Sequence, residues 1–243
     1  LISLDEKIQM VTYLSKNRNE DNFIIGCGLN SLLDTINLMK VSVNLGFKKF
    51  LVMPPAYYKY GDKEVINYYM KLVNSVPESK IILYNFEKLC GYKFSTKCVE
   101  ELAKIFPKNI IGVKDSSYNL YKDLKIKDFS ILPGSELKLL SGLEIGCSGI
   151  ITATCNVTAE LSRKVYDDFF NNVTQTANNK LCEVRKTFDQ FNLISGLHSF
   201  LKEKDSDYAN ILPTLSLLDP KDEKILFNKL RALDFPAKKN VAA

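Results

Sequence analysis

Short, continuous apolar runs alternate along the chain with longer stretches in which apolar residues return every three or four positions. The runs cover residues 23–26, 50–53, 81–84, 110–113, 129–132 and 149–152 and are rich in isoleucine, valine and phenylalanine. Continuous apolar character marks strands buried on both faces, as in a parallel sheet whose crossovers are helices. The intervening stretches carry helix signals. Ser3 with Glu6 forms a capping box, and Ser31 precedes the stripe Leu32, Leu33, Ile36, Met39 and Val43, which stops at Gly46. A further stripe comprises Val65, Ile66, Tyr69, Leu72 and Val73, and Ser95 precedes Val99, Leu102, Ala103 and Phe106. Beyond Asn156 the pattern is purely helical, through Leu161, Val165 and Phe169 and then Leu181, Val184 and Phe188. A last helix starts at Asp219 with Pro220 in its first turn.

Six strands separated by helices predict an α/β fold, either an open doubly wound sheet or a closed (β/α)8 TIM barrel. The open sheet needs a phosphate-binding loop. Its nearest match, Gly26-Cys27-Gly28-Leu29-Asn30-Ser31, lacks the third glycine and reads as a plain strand-to-helix turn. The barrel needs eight strands, so this reading places the first two before Leu1. Residues 1–156 then form the barrel portion, strands three to eight, and residues 157–243 the last barrel helix and a C-terminal helical extension.

Composition narrows the partners. In 243 residues the formal net charge is +5, with acidic residues interspersed among the basic ones, which argues against nucleic acid. No apolar stretch approaches the roughly 20 residues of a membrane span, and the polar first helix does not resemble a secretory signal. Six cysteines without a C-x-x-C pair, beside a single histidine, make no zinc spacing. They read as reduced thiols of a cytoplasmic protein, with neither metal nor cofactor expected.

In a barrel, chemistry sits at the carboxyl ends of the strands. Those ends here are residues 54–59, Tyr84-Asn85, residues 114–117 and Gly134-Ser135-Glu136. If Gly112 faces inward, alternation turns Ile110 and Lys114 inward as well, and Tyr84 shares that face with Ile82. A lysine in an apolar cavity is suited to attack a carbonyl carbon as the free amine, and a neighbouring phenol is suited to relay protons. Alternation alone equally allows a lysine whose head reaches into water and a tyrosine that merely fills the core.

The strings Tyr84-Asn85 to Gly91, Ile111-Gly112-Val113-Lys114-Asp115-Ser116-Ser117, Gly134-Ser135-Glu136 and Gly149-Ile150-Ile151 to Asn156 resemble the dihydrodipicolinate synthase/N-acetylneuraminate lyase family of class I aldolases. Their order and spacing agree, over nearly the whole chain. The resemblance implies a TIM barrel with a helical extension, a pyruvate Schiff base on Lys114, and Tyr84 as the proton-relay tyrosine. It further implies that Tyr58 is lent to a neighbouring subunit's site, in a homo-oligomer that is usually a dimer of dimers. Gly134 and the carbonyl oxygen of Ile151 are expected to line the pyruvate pocket.

Three departures shape the expected substrate. The family's carboxylate-binding Gly-Thr-Thr-Gly-Glu segment has no counterpart after Leu1. Lysine-pathway synthases carry an arginine in the loop after the tyrosine strand, where this chain has Leu89 beside Lys88. Sialic acid lyases place further polar groups at positions matched here by Glu136, Leu137 and Ala153, of which only Glu136 keeps oxygen ligands. The expected partners are therefore pyruvate and an aldehyde or 2-keto-3-deoxy acid, with lysine-pathway synthesis and a non-catalytic 2-oxo-acid-binding barrel as alternatives. Asp115 and Glu136 are expected to be solvated or capping carboxylates, with Asp115-Ser116-Ser117 capping a helix, and His198 to be structural.

Overall fold

A computed structural model describes residues 2–16 and 22–237. Five of the apolar runs form one parallel sheet in chain order: β1 (Ile25–Gly26), β2 (Lys49–Val52), β3 (Lys80–Asn85), β4 (Ile110–Asp115) and β5 (Ser130–Pro133). The crossovers carry α1 (Leu4–Ser15), α2 (Leu32–Asn44), α3 (Asp62–Ser75), the single turn α4 (Glu87–Cys90) and α5 (Thr96–Ile105). Their starts follow from the local sequence. Ser3 and Glu6 form the reciprocal capping box, and the Ser31 and Ser95 hydroxyls accept from the N–H groups of Asp34 and Cys98.

One face of the sheet is fully buried under the helices, while the other holds buried Ile82 beside half-buried Leu51 and Tyr84. Phe50, Val52, Ile81, Leu83 and Val113 are inaccessible to solvent, and Leu38, Met39, Tyr69, Leu72 and Leu102 from the helices complete the core. Two glycines answer to close approach. A Cβ on Gly28 would lie 2.6 Å from the Met53 nitrogen, and one on Gly112 would lie 3.0 Å from the Ser130 side chain across β4 and β5. The glycine-containing turn 26–31 therefore serves strand packing, with Ser31 as a helix cap.

The chain divides into two compact units, Leu1–Gly134 and Ser135–Ala243. The second contains α6 (Leu139–Glu144), α7 (Cys155–Phe170), α8 (Asn178–Phe188), α9 (Leu193–Leu201) and α10 (Pro220–Ala232), the last capped by Asp219. One of its cores gathers Val184, Phe188, Leu197, Phe200, Leu226 and Leu230. The other gathers Leu139, Leu143, Val165, Ala177 and Leu181.

Two expectations are corrected. Residues 149–152 form no strand: Gly149 has φ +139°, outside the extended region of a pleated strand. No helix follows Asp115 before β5 either. Residues 116–123 make turns, because the Asp115 carboxylate takes the N–H groups of Leu120 and Tyr121, both at 2.9 Å.

Candidate active site

β3 and β4 run side by side with Tyr84 paired to Lys114 at their carboxyl ends. The Lys114 Nζ lies over the Tyr84 ring, 4.0 Å from its centroid, and the ring stacks on Phe86 at 6.1 Å. Alternation along the two strands thus brings the lysine and the tyrosine to the same face. Burial raises the pKa of the Tyr84 phenol above its ordinary value, while a hydrogen bond from the Ser116 side chain works in the opposite direction. The phenol is held protonated at neutral pH, a state from which it can give a proton.

Ser116, which stands among the strand-end residues and was expected to cap a helix, lies instead against the Tyr84 phenol. It lies two positions beyond Lys114, as Lys114 lies two beyond Gly112, so the same alternation points to it. Its backbone N–H donates to the Asn85 carbonyl at 2.9 Å, extending the ladder past β4. Gly134 leaves the room it occupies: a Cβ there would approach the Ser116 Cβ and Cα to 2.9 and 3.0 Å.

Other expected residues are placed differently. Tyr58 is 77% exposed and packs edge-to-face against Tyr57, with 5.0 Å between ring centroids. It projects outward, and Tyr57 holds φ +92° beside it. Leu89 is 54% exposed on α4, a turn tethered to the end of β4 because the Glu87 N–H donates to the Ser117 hydroxyl at 3.0 Å. Neither expected carboxylate meets solvent: Asp115 and Glu136 are both fully buried.

In the second unit Glu136 is committed to protein partners. Its Oε1 accepts from the hydroxyls of Thr152 and Thr158 at 2.6 and 3.1 Å, and its Oε2 accepts from Arg185 Nη1 at 2.9 Å. Arg185 Nε donates onward to Asp189 at 2.8 Å. Burial opposes the Arg185 charge, yet the Asp189 hydrogen bond and the Glu136 field prevail and raise its pKa. The signal for this pair was available: Arg185 falls four residues after Leu181 and next to Val184, on the apolar stripe of α8. Thr152 also accepts from the Cys155 N–H at 3.1 Å, which fixes the start of α7. The His198 ring sits in α9 with Nδ1 2.8 Å from the Tyr208 carbonyl.

All six cysteines are free thiols, and among the described residues no three His, Cys, Asp or Glu side chains converge as metal ligands. Among those residues, no helix is long and apolar enough to cross a membrane.

The fold is that of a class of α/β barrels. Residues 1–226 match the model of the dihydrodipicolinate synthetase family, and the chain belongs to that family. An uncharacterized DapA-like lyase of Chloroflexus aurantiacus is 29% identical over 69% of this chain and 58% of its own length. A 4-hydroxy-tetrahydrodipicolinate synthase of Methanococcoides burtonii is 26% identical over 86% of this chain and 74% of its own. A 2-dehydro-3-deoxy-D-gluconate/2-dehydro-3-deoxy-phosphogluconate aldolase of Picrophilus torridus is 24% identical over 88% and 81%. The chain thus spans between about three-fifths and four-fifths of these relatives' lengths. Among solved structures, YagE, a prophage protein of the dihydrodipicolinic acid synthase family from E. coli K12 in complex with pyruvate, superposes with a TM-score of 0.85 at 22% identity, over 96% of this chain and 83% of its own. These likenesses show the TIM-barrel fold with its C-terminal helices.

Proposed function

We propose that this protein is a class I lyase that holds pyruvate, or a related 2-oxo acid, as a Schiff base on Lys114 and reversibly joins it to an aldehyde. The observation that carries this reading is the Lys114 nitrogen 4.0 Å above the Tyr84 ring at the ends of two paired strands. In the proposed reaction the Lys114 amine adds to the keto carbon, and the carbinolamine loses water to give an imine. Loss of a C3 proton turns the imine into an enamine, whose C3 attacks the aldehyde carbon while the new oxygen takes up a proton. Water then releases the product and returns the amine. Tyr84, protonated and held by Ser116, is the group suited to carry these protons.

Leu89 bears on the acceptor. An exposed isobutyl group cannot make the two-pronged contact with a second carboxylate that an arginine makes. Glu136 is fully engaged with Thr152, Thr158 and Arg185, so it is not spare for a long polyol. Both features support a short hydroxyaldehyde acceptor, as in cleavage of 2-keto-3-deoxy sugar acids, over aspartate semialdehyde or a sialic acid. The outward Tyr58 supports its assignment to a neighbouring subunit's site in a homo-oligomer.

A panel of 2-keto-3-deoxy acids assayed for pyruvate release, beside condensation of pyruvate with aspartate semialdehyde, tests this reading. Faster turnover of the deoxy acids is expected. Faster condensation with aspartate semialdehyde would assign the lysine-pathway synthase instead, and pyruvate binding without turnover of any substrate would assign a non-catalytic barrel.

A further inference from the structure

Immediately beyond Tyr84 and Lys114, the next pair in register is Asn85 and Asp115. Alternation turns them to the face opposite the ring and the ammonium, and both are inaccessible to solvent. They are joined by a closed set of hydrogen bonds. Asn85 Nδ2 donates to Asp115 Oδ1 and to Asn119 Oδ1, both at 2.8 Å, and Asn85 Oδ1 accepts from the Phe94 N–H at 3.1 Å. The second Asp115 oxygen accepts from the Leu120 and Tyr121 N–H groups, and Asn119 Nδ2 donates to the Phe94 carbonyl at 2.9 Å.

The chemistry at each position is dictated. Asn85 must offer two donors and one acceptor, because turning its amide over would set N–H₂ against the Phe94 N–H. Position 115 must accept on both oxygens, which a carboxylate does and an amide does not. Desolvating a carboxylate is unfavourable, and a well-packed apolar pair would fill the same space without that penalty. What the polar set supplies, and an apolar pair would not, is directional register. It ties the end of β3, the end of β4, the turn at 116–121 and the Phe94 segment together one residue from the lysine and the tyrosine.

We propose that Asn85 and Asp115 are positioning residues that fix the separation of Lys114 and Tyr84, a role that rests on the Schiff-base reading above. Neither touches the reacting atoms. They act by holding the two strand ends to one geometry, where a misplacement of 1 Å lowers a rate by about 10²-fold.

The isosteric exchanges Asp115→Asn and Asn85→Asp, and the two combined, test this. In Asp115→Asn the new N–H₂ meets donors whichever way it turns, either Asn85 Nδ2 or the two backbone N–H groups. In the combined variant an amide at position 115 again donates to an acceptor at position 85 and accepts from those backbone groups. With enzyme that circular dichroism shows to be folded, each single exchange is expected to lower kcat, and the rate of borohydride trapping of pyruvate, by about 10- to 100-fold. The pyruvate KM should change less than about threefold, and the combined variant, in which only the contact of position 85 with the Asn119 oxygen stays broken, should regain part of the rate lost by the slower single exchange.

Wild-type rates in both folded single variants, or a combined variant no faster than the slower single one, would overturn the proposal. If the single variants do not fold, Asn119→Ala decides, since it removes only one bond to Asn85 and one to Phe94. A fall in trapping rate of at least about threefold is then expected, and an unchanged rate overturns the role. Wild-type enzyme that traps no pyruvate would instead remove the Schiff-base reading itself, together with everything resting on it.

Discussion

The Lys114 nitrogen rests over the face of the Tyr84 ring, and the two residues are register partners across β3 and β4. Stacking an ammonium on an aromatic face contributes about 0.5–2 kcal/mol. More important for chemistry, it stations the phenol beside the nitrogen that is proposed to carry the substrate. Tyr84→Phe keeps the ring and removes only the hydroxyl. Turnover is expected to fall by about 10²–10⁴-fold with the pyruvate adduct still trappable on Lys114. Steady-state kinetics beside intact mass checks this, and a near-wild-type kcat would assign the proton transfers elsewhere.

Gly134 is expected to tolerate no side chain. A methyl group there would meet Ser116 at 2.9 Å and displace the hydroxyl that bonds to Tyr84. Gly134→Ala should destabilise the protein by about 1–3 kcal/mol and lower kcat disproportionately. Urea denaturation and kinetics on the same sample separate the two effects. Unchanged kcat would show that the Ser116 hydroxyl has no part in proton transfer.

Glu136 and Arg185 form a buried ion pair at 2.9 Å with the Glu136 side chain wholly enclosed. Removing one charge strands the other, so Glu136→Gln should destabilise by about 3–5 kcal/mol. Replacing both members, as in Glu136→Gln with Arg185→Met, should recover much of that loss, because no uncompensated charge remains. Chemical denaturation of the single and double variants measures the coupling, and additive losses would contradict it.

Buried thiols and phenols set an alkaline limit on stability. Burial pushes the Cys98 thiol up to about 11 and the Tyr68 phenol up to about 12, and it raises Cys27, Tyr69 and Tyr92 as well. Folded values above unfolded ones mean that the folded state holds these protons more tightly. The resulting stability is complete below the unfolded values of 9.0 for the thiol and 10.0 for the phenol, and is lost as pH rises through the folded values. The urea midpoint should therefore begin to fall near pH 9, with tyrosinate absorbance from the buried rings appearing only on unfolding. A midpoint constant to pH 11 would contradict this.

Much of the fold was legible because local rules and tertiary packing agree. The capping residues Ser3, Ser31, Ser95 and Asp219 all start the helices they predict, and the continuous apolar runs form the parallel sheet. The run at 149–152 failed because composition does not reveal that Gly149 takes φ +139°. In the candidate site, alternation was enough to bring Lys114 beside Tyr84. It was not enough for the carboxylates, since whether a strand-end Asp or Glu meets water depends on partners distant in sequence. Asn85 lies 30 positions from Asp115, and Arg185 lies 49 from Glu136. Tyr58 shows the opposite limit, for the role proposed for it in a neighbouring subunit's site lies outside the single chain.

The central claim is that the Lys114 amine condenses with a keto group. Borohydride reduction in the presence of pyruvate, followed by peptide mapping, tests it directly, with Lys114→Arg as the control. A stable adduct confined to the Lys114 peptide and absent from the arginine variant is expected. An unmodified Lys114 in folded protein, or an adduct spread over surface lysines, would contradict the account.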